Sequence, residues 1–196
     1  MDLNVVFAGT SASAPTAHRG VAALVVRRGG DTLLFDCGEG TQRQLLRSIG
    51  LGDLREVFIT HFHADHLPGI PGMLKTFALR GREVPLTVYG PSGLKDLLGG
   101  LRRVFGNLTF PVEPVELGPG DVIDRGDYEI RAFAVDHGPQ AVGYVIAEAT
   151  RPGVEGRPRP GAVRRRRRSA VQRGPRTQHG AAAQQRHVPA RAEGAD

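Results

Sequence analysis

A mixed α/β or α+β fold is predicted for residues 1 to 150 by three observations. Short apolar or β-branched runs bounded by glycine-containing turns recur along the chain, amphipathic stretches of helical period fall between some of them, and other runs follow one another directly. Adjacent strand pairs therefore occur beside strand–helix–strand units, which excludes a purely parallel doubly wound sheet.

The elements are read in chain order. Leu3 to Ala8, Val21 to Val26 and Thr32 to Asp36 are consecutive strands. Glu39 to Ile49 is a helix whose apolar residues Leu45, Leu46 and Ile49 share one face. Glu56 to Thr60 returns to strand, and Met73 to Leu79 is a helix entered after Pro68 and Pro71. Leu86 to Tyr89 is a strand, followed by a helix from about Pro91 to Phe105. Three more strands follow, Val112 to Leu117, Tyr128 to Val135 and Val142 to Ala147.

After Thr150 these signals stop. Residues 151 to 196 contain no Leu, Ile, Phe, Met, Tyr or Lys and consist mostly of Arg, Ala, Gly, Pro and Gln, with an unbroken run from Arg164 to Arg168. A segment of this composition cannot bury a core, so disorder is expected. Arg, Ala, Gly and Pro are the residues with the most G- and C-rich codons, so a frameshift in a GC-rich gene is one explanation of this stretch and a natural RNA-binding tail the other. The net charge of +6 divides at the same place. The last 46 residues carry 12 basic against 3 acidic side chains, and the first 150 carry 14 against 17. Any electrostatic attraction to nucleic acid is thus a property of the tail and not of the body.

Other classes are set aside quickly. There is no long apolar run to span a membrane, and the start Met1-Asp2-Leu3-Asn4 is unlike a secretory signal. The single cysteine, Cys37, has no partner for an internal disulfide, so a cytoplasmic protein is expected.

Chemistry concentrates in Thr60-His61-Phe62-His63-Ala64-Asp65-His66. Three histidines and a carboxylate within six positions, directly after an apolar strand, is a dense collection of zinc ligand types. His61 and His63 are two residues apart and, in an extended loop, project to the same side to share one metal. Asp65 and His66 lie where the chain turns toward the next helix and point elsewhere, so two neighbouring metals is the economical reading. Asp36, at a strand end beside a glycine turn, can orient the ligand loop from the second shell of hydrogen bonds or serve as an Asx turn or cap. Cys37 is expected to be a small buried residue and His18 a surface residue.

His-x-His-x-Asp-His after a strand resembles the signature of the metallo-β-lactamase fold, an αββα sandwich with a dinuclear metal site at one edge. Asp36-Cys37-Gly38-Glu39-Gly40-Thr41-Gln42-Arg43-Gln44 narrows the resemblance to the ribonuclease Z family, endonucleases that remove 3′ trailers from precursor transfer RNA. Gly9-Thr10-Ser11-Ala12, Pro68-Gly69-Ile70-Pro71-Gly72 and Asp136-His137-Gly138 followed by Gly143-Tyr144 match in the family's order over residues 1 to 150.

The resemblance implies that His137 joins His61 and His63 on a first zinc, that Asp65 and His66 serve a second, and that Asp65 also accepts a proton. It further implies a homodimer with precursor tRNA as substrate. It ends after Thr150, where the family continues with a basic arm, a metal-bridging aspartate, a final histidine and a second sheet, none of which is found in residues 151 to 196. Neither His179 nor His187 is assigned the missing histidine's role. The expectation is a fold truncated after its first half, with at most one zinc, an uncovered apolar sheet face and no trailer removal by this chain. The alternatives are another hydrolase of the same fold acting on small phosphodiesters, thioesters or sulfate esters, and a non-enzymatic fragment with an RNA-binding basic tail.

Overall fold

The computed structural model describes residues 3–52, 54–138 and 140–148. The chain divides into two units, residues 1–152 and 153–196, and everything described belongs to the first. The basic tail of the sequence analysis lies outside the described residues.

Three strands open the fold. β1 (Leu3–Gly9), β2 (Ala23–Arg28) and β3 (Asp31–Phe35) are antiparallel neighbours. Gly29 and Gly30 join β2 to β3 in a two-residue turn, and Gly29, at φ 58°, supplies the left-handed backbone such tight hairpins require. From β3 the ladder becomes parallel, through β4 (Glu56–Phe58), β5 (Leu86–Gly90) and β6 (Val112–Glu116). Parallel neighbours need crossovers, and α1 (Thr41–Ser48), α2 (Gly69–Leu79) and α3 (Leu94–Phe105) provide them. Strand order advances steadily from β1 to β6, so right-handed crossovers put all three helices on one face, where α2 touches both α1 and α3.

The sheet is apolar on both faces. Leu34, Val57 and Val88 point toward the helices and pack with Leu45, Ile70, Met73, Leu74, Phe77 and Leu94. The intervening residues Leu33 and Phe58 point the other way, against Tyr128 and Ile130. These last two belong to a second, antiparallel sheet of β7 (Val122–Asp124), β8 (Tyr128–Ala134) and β9 (Val142–Glu148). Phe58 is the hinge of the layering: it is fully buried, stacks on Phe35 at 4.9 Å and on Tyr89 at 4.6 Å, and meets Tyr144 of the second sheet edge-on at 5.4 Å. Phe58→Ala is expected to destabilise the fold by about 3–5 kcal/mol, the usual cost of emptying a large core site. Urea unfolding measures this, and Phe58→Leu should lose clearly less.

A charged clamp ties the sheets together at their far end. The Arg28 side chain on β2, 2% exposed, bonds Asp127 and Glu148 at 2.9 Å each and lies over the Tyr128 ring at 4.3 Å. The Tyr128 hydroxyl donates to Asp31 on β3 at 2.6 Å.

Four expectations are corrected. A second sheet is present in β7–β9, so the sheet face behind β3 and β4 is covered. β7 escaped the sequence reading because its three residues are short and largely exposed. Apolar side chains of the first sheet stay uncovered mainly on β1, where Leu3, Val5 and Phe7 are 57%, 45% and 71% exposed, beside a groove of about 560 Å³ reaching Leu24, Phe35, Tyr144 and Ile146. Finally, α2 begins at Gly69 rather than Met73, because Pro68 at the cap and Pro71 in the first turn occupy positions that need no N–H donor.

Candidate metal centre

The centre forms where β3, β4 and the loop between β8 and β9 end side by side. Beyond Phe35 the chain turns sharply at Asp36, whose φ of 56° is rare for a residue with a side chain. The turn continues through Cys37 and Gly38, and there is no room for a side chain at Gly38. A Cβ there would stand 2.4 Å from the carbonyl oxygen of Asp65 and 2.4 Å from a methyl of Val21. Gly69 is equally confined, since a Cβ there would stand 2.2 Å from the Gly38 oxygen. The Asp36-Cys37-Gly38 turn is thus pressed against the histidine loop, and backbone bonds hold it there, Cys37 N–H to His66 C=O at 2.7 Å and Gly69 N–H to Cys37 C=O at 2.8 Å. Cys37 is completely buried, and burial pushes its thiol up to about 12, as expected of an inert packing residue.

Asp36 is buried and fully engaged. One carboxylate oxygen accepts from the Thr60 N–H at 2.8 Å and from its hydroxyl at 2.9 Å; the other lies 2.7 Å from His66 Nδ1. Thr60 Oγ1 also stands 2.9 Å from His61 Nδ1. The two Nδ1 atoms of His61 and His66 are therefore tied, directly or through one hydroxyl, to a single carboxylate. Asp65 is held by the Ser13 N–H on its Oδ2 at 2.8 Å, and that bond keeps its carboxyl below the usual range.

His61, His63 and His137 converge. One nitrogen of each lies within 4.8 Å of the others, and they form the one such group of three potential ligands among the described residues. His63 Nδ1 and His137 Nε2 are 3.3 Å apart. Zinc–nitrogen bonds of roughly 2.0–2.1 Å in a tetrahedron place neighbouring nitrogens about 3.3 Å apart, so the spacing suits such an ion. His61 Nε2 is buried with no hydrogen-bond partner, although the other nitrogen of the same ring is satisfied. An orphaned buried nitrogen on a ring that converges with two other imidazoles is costly without a cation, and the residues present fit such an ion.

Asp65 and His66 stand together a short way off, His66 Nε2 lying 3.5 Å from Asp65 Oδ2. The His66 ring lies 4.0 Å from that of His61, closer than His63 at 4.6 Å, and a turn closed by His66 N–H on His63 C=O at 3.0 Å brings it there. His18 is exposed. The participant that sequence reasoning missed is the Thr60 hydroxyl.

Two titrations mark the site electrically. Burial, then the neighbouring His66, lowers the pKa of His61 and favours its neutral, ligating form. The hydrogen bond to Asp36 raises that of His66. In metal-free protein the Asp36–His66 bond therefore contributes stability that is fully present below about pH 6.5, the ordinary imidazole value, and is lost as pH rises through the raised value. In Asp36→Asn the His66 titration is expected to move down toward the ordinary value, followed by NMR of the ring protons.

A likeness to known proteins accompanies this geometry. The family model of the metallo-beta-lactamase superfamily matches residues 17–152, and the chain belongs to that superfamily. Within it the chain is related to ribonuclease Z. It is 44% identical over 154 residues to the ribonuclease Z of Methanosarcina mazei, covering 77% of this chain and 50% of that one. To the ribonuclease Z of Gemmatimonas aurantiaca it is 50% identical over 156 residues, covering 78% and 50%. The crystal structure of the short form of human tRNase Z superposes with a TM-score of 0.66 at 34% identity, covering 74% of this chain and 64% of that one. The chain spans about half the length of the ribonucleases Z it matches.

Proposed function

We propose that the centre holds zinc and belongs to a phosphodiesterase of the ribonuclease Z type, an endoribonuclease that removes the 3′ trailer from precursor tRNA. The observation that carries this reading is the convergence of His61, His63 and His137, in which His61 Nε2 is buried and unpartnered and His63 Nδ1 stands 3.3 Å from His137 Nε2. Those three imidazoles would hold a first ion. Asp65 and His66 would offer ligands to a second, and Asp36 would fix the rings of His61 and His66 from behind. Bound zinc supplies a water acidified to near neutrality and a Lewis acid for the scissile phosphate. The chain's own residues do the rest: Asp65, kept ionised by Ser13, accepts the proton, and the Asp36-Cys37-Gly38 turn keeps the ligand loop in place.

The relation to ribonucleases Z favours RNA as substrate over small esters, and homodimerisation belongs to the same reading. No helix among the described residues is long and apolar enough to cross a membrane, and we place the protein in the cytoplasm.

The second position draws on only Asp65 and His66 among the residues brought together here, so one zinc per chain is expected and trailer removal by the 196-residue chain is not. Incubation with a precursor tRNA and, separately, with a chromogenic phosphodiester tests this. Genuine trailer removal would show that residues outside those described complete the second position, and turnover of the small ester alone would favour a different hydrolase of the same superfamily.

A further inference from the structure

The hydroxyl of Thr60 stands between a carboxylate and a ligand ring, and its single proton can satisfy only one of them. Its Oγ1 lies 2.9 and 3.0 Å from the two oxygens of Asp36 and 2.9 Å from His61 Nδ1. A carboxylate can only accept. If the hydroxyl gave its proton to His61, Oγ1 would face two carboxylate oxygens lone pair to lone pair at hydrogen-bond distance. The arrangement that leaves no such clash has the hydroxyl donating to Asp36 and accepting from a protonated Nδ1 of His61. The lone pair of that ring is then on Nε2, the buried and unpartnered atom of a ring that converges with His63 and His137.

The backbone of Thr60 is anchored on both sides, its N–H donating to Asp36 at 2.8 Å and its carbonyl accepting from Val142 N–H, at the start of β9, at 2.9 Å. The hydroxyl is therefore fixed relative to β3, β4 and the strand that follows His137.

We propose that Thr60 is a positioning residue that sets the tautomer of His61: its hydroxyl passes the pull of Asp36 to Nδ1, so that Nε2 is free to bind metal, while His66 takes its tautomer from the same carboxylate directly. One buried carboxylate thereby orients a ring at each of the two metal positions, one of them through a side chain that binds no metal itself. The inference rests on the proposed zinc reading for its purpose, although the tautomer itself does not depend on metal.

The test uses the full chain and two variants, Thr60→Val, which keeps the shape and removes the hydroxyl, and Thr60→Ser, which keeps the hydroxyl. Long-range proton–nitrogen NMR of zinc-free protein reads the tautomer of His61 directly. The wild type and Thr60→Ser are expected to carry the proton on Nδ1, and Thr60→Val to show a mixture or the Nε2–H form. Zinc competition against a chromophoric chelator should then show affinity falling about 10–100-fold in Thr60→Val, the usual loss when an outer hydrogen-bond partner of a ligand is removed, and staying within about 3-fold of wild type in Thr60→Ser. An Nε2–H tautomer in the wild type overturns the inference, and so does an unchanged tautomer in Thr60→Val. If Thr60→Val does not fold, the wild-type and Thr60→Ser spectra still decide. A wild-type chain with the Nδ1–H tautomer and no zinc affinity would instead overturn the metal reading and leave the positioning role of Thr60 standing.

Discussion

On the proposed reading, Asp65→Ala is expected to lower phosphodiester cleavage by about 10³-fold or more in any form of the protein that cleaves, the combined cost of losing a ligand and a proton acceptor. The Ser13 N–H on Oδ2 keeps the carboxyl below its usual range, so Asp65 is ionised throughout the neutral region. A carboxylate held down in this way is a weak base by itself. In the proposed role it would take a proton only from a water already made acidic, so that both roles would be lost together. The side chain is 16% exposed and packs into no core, so the fold should survive, as circular dichroism would show. Zinc at the three-histidine position should also survive, because Asp65 is not one of those ligands. Near-normal turnover in Asp65→Ala with unchanged zinc would remove this residue from the chemistry.

His137→Ala is expected to weaken zinc binding by more than the about 10–100-fold typical of an outer hydrogen-bond partner, because it removes one of only three protein nitrogens. This variant is informative because His137 is remote in sequence. His61 and His63 come from the loop after β4, whereas His137 lies between β8 and β9 in the second sheet, 74 positions beyond His63. Zinc should therefore also raise the thermal midpoint of the wild type by bridging the two sheets, and raise that of His137→Ala much less. Paired melting curves with and without zinc check this.

What the sequence makes legible follows from how local each signal is. The histidine loop is readable because its residue types are dense and follow an apolar strand, and β2 to β5 are readable because their apolar runs are long enough to be buried on both faces. Asp36 is readable as a candidate because a carboxylate at a strand end before glycine has few roles. Thr60 is not, since threonine at the end of a strand is ordinary, and its importance comes from two neighbours, one of them 24 residues away. His137 has no local signal either, and only the family resemblance singles it out. The second sheet was underestimated for a similar reason. β8 and β9 are apparent as strands, but their packing behind β3 and β4 depends on long-range contacts such as Phe58 with Tyr144, and β7, at three residues, is too short to be seen. The turn at Asp65 and His66 is legible from the approach to the next helix, whereas the closeness of the His66 ring to His61 is not, because it depends on the bond from His66 N–H to His63 C=O and on Asp36, 30 residues away.

The most direct test is elemental analysis of the purified 196-residue chain after exhaustive gel filtration in zinc-free buffer, beside a variant in which His61, His63 and His137 are all alanine. One zinc is expected per wild-type chain and none in the variant. A wild type without zinc, a wild type with two tightly held zincs, or a variant that keeps its zinc would contradict a single three-histidine site.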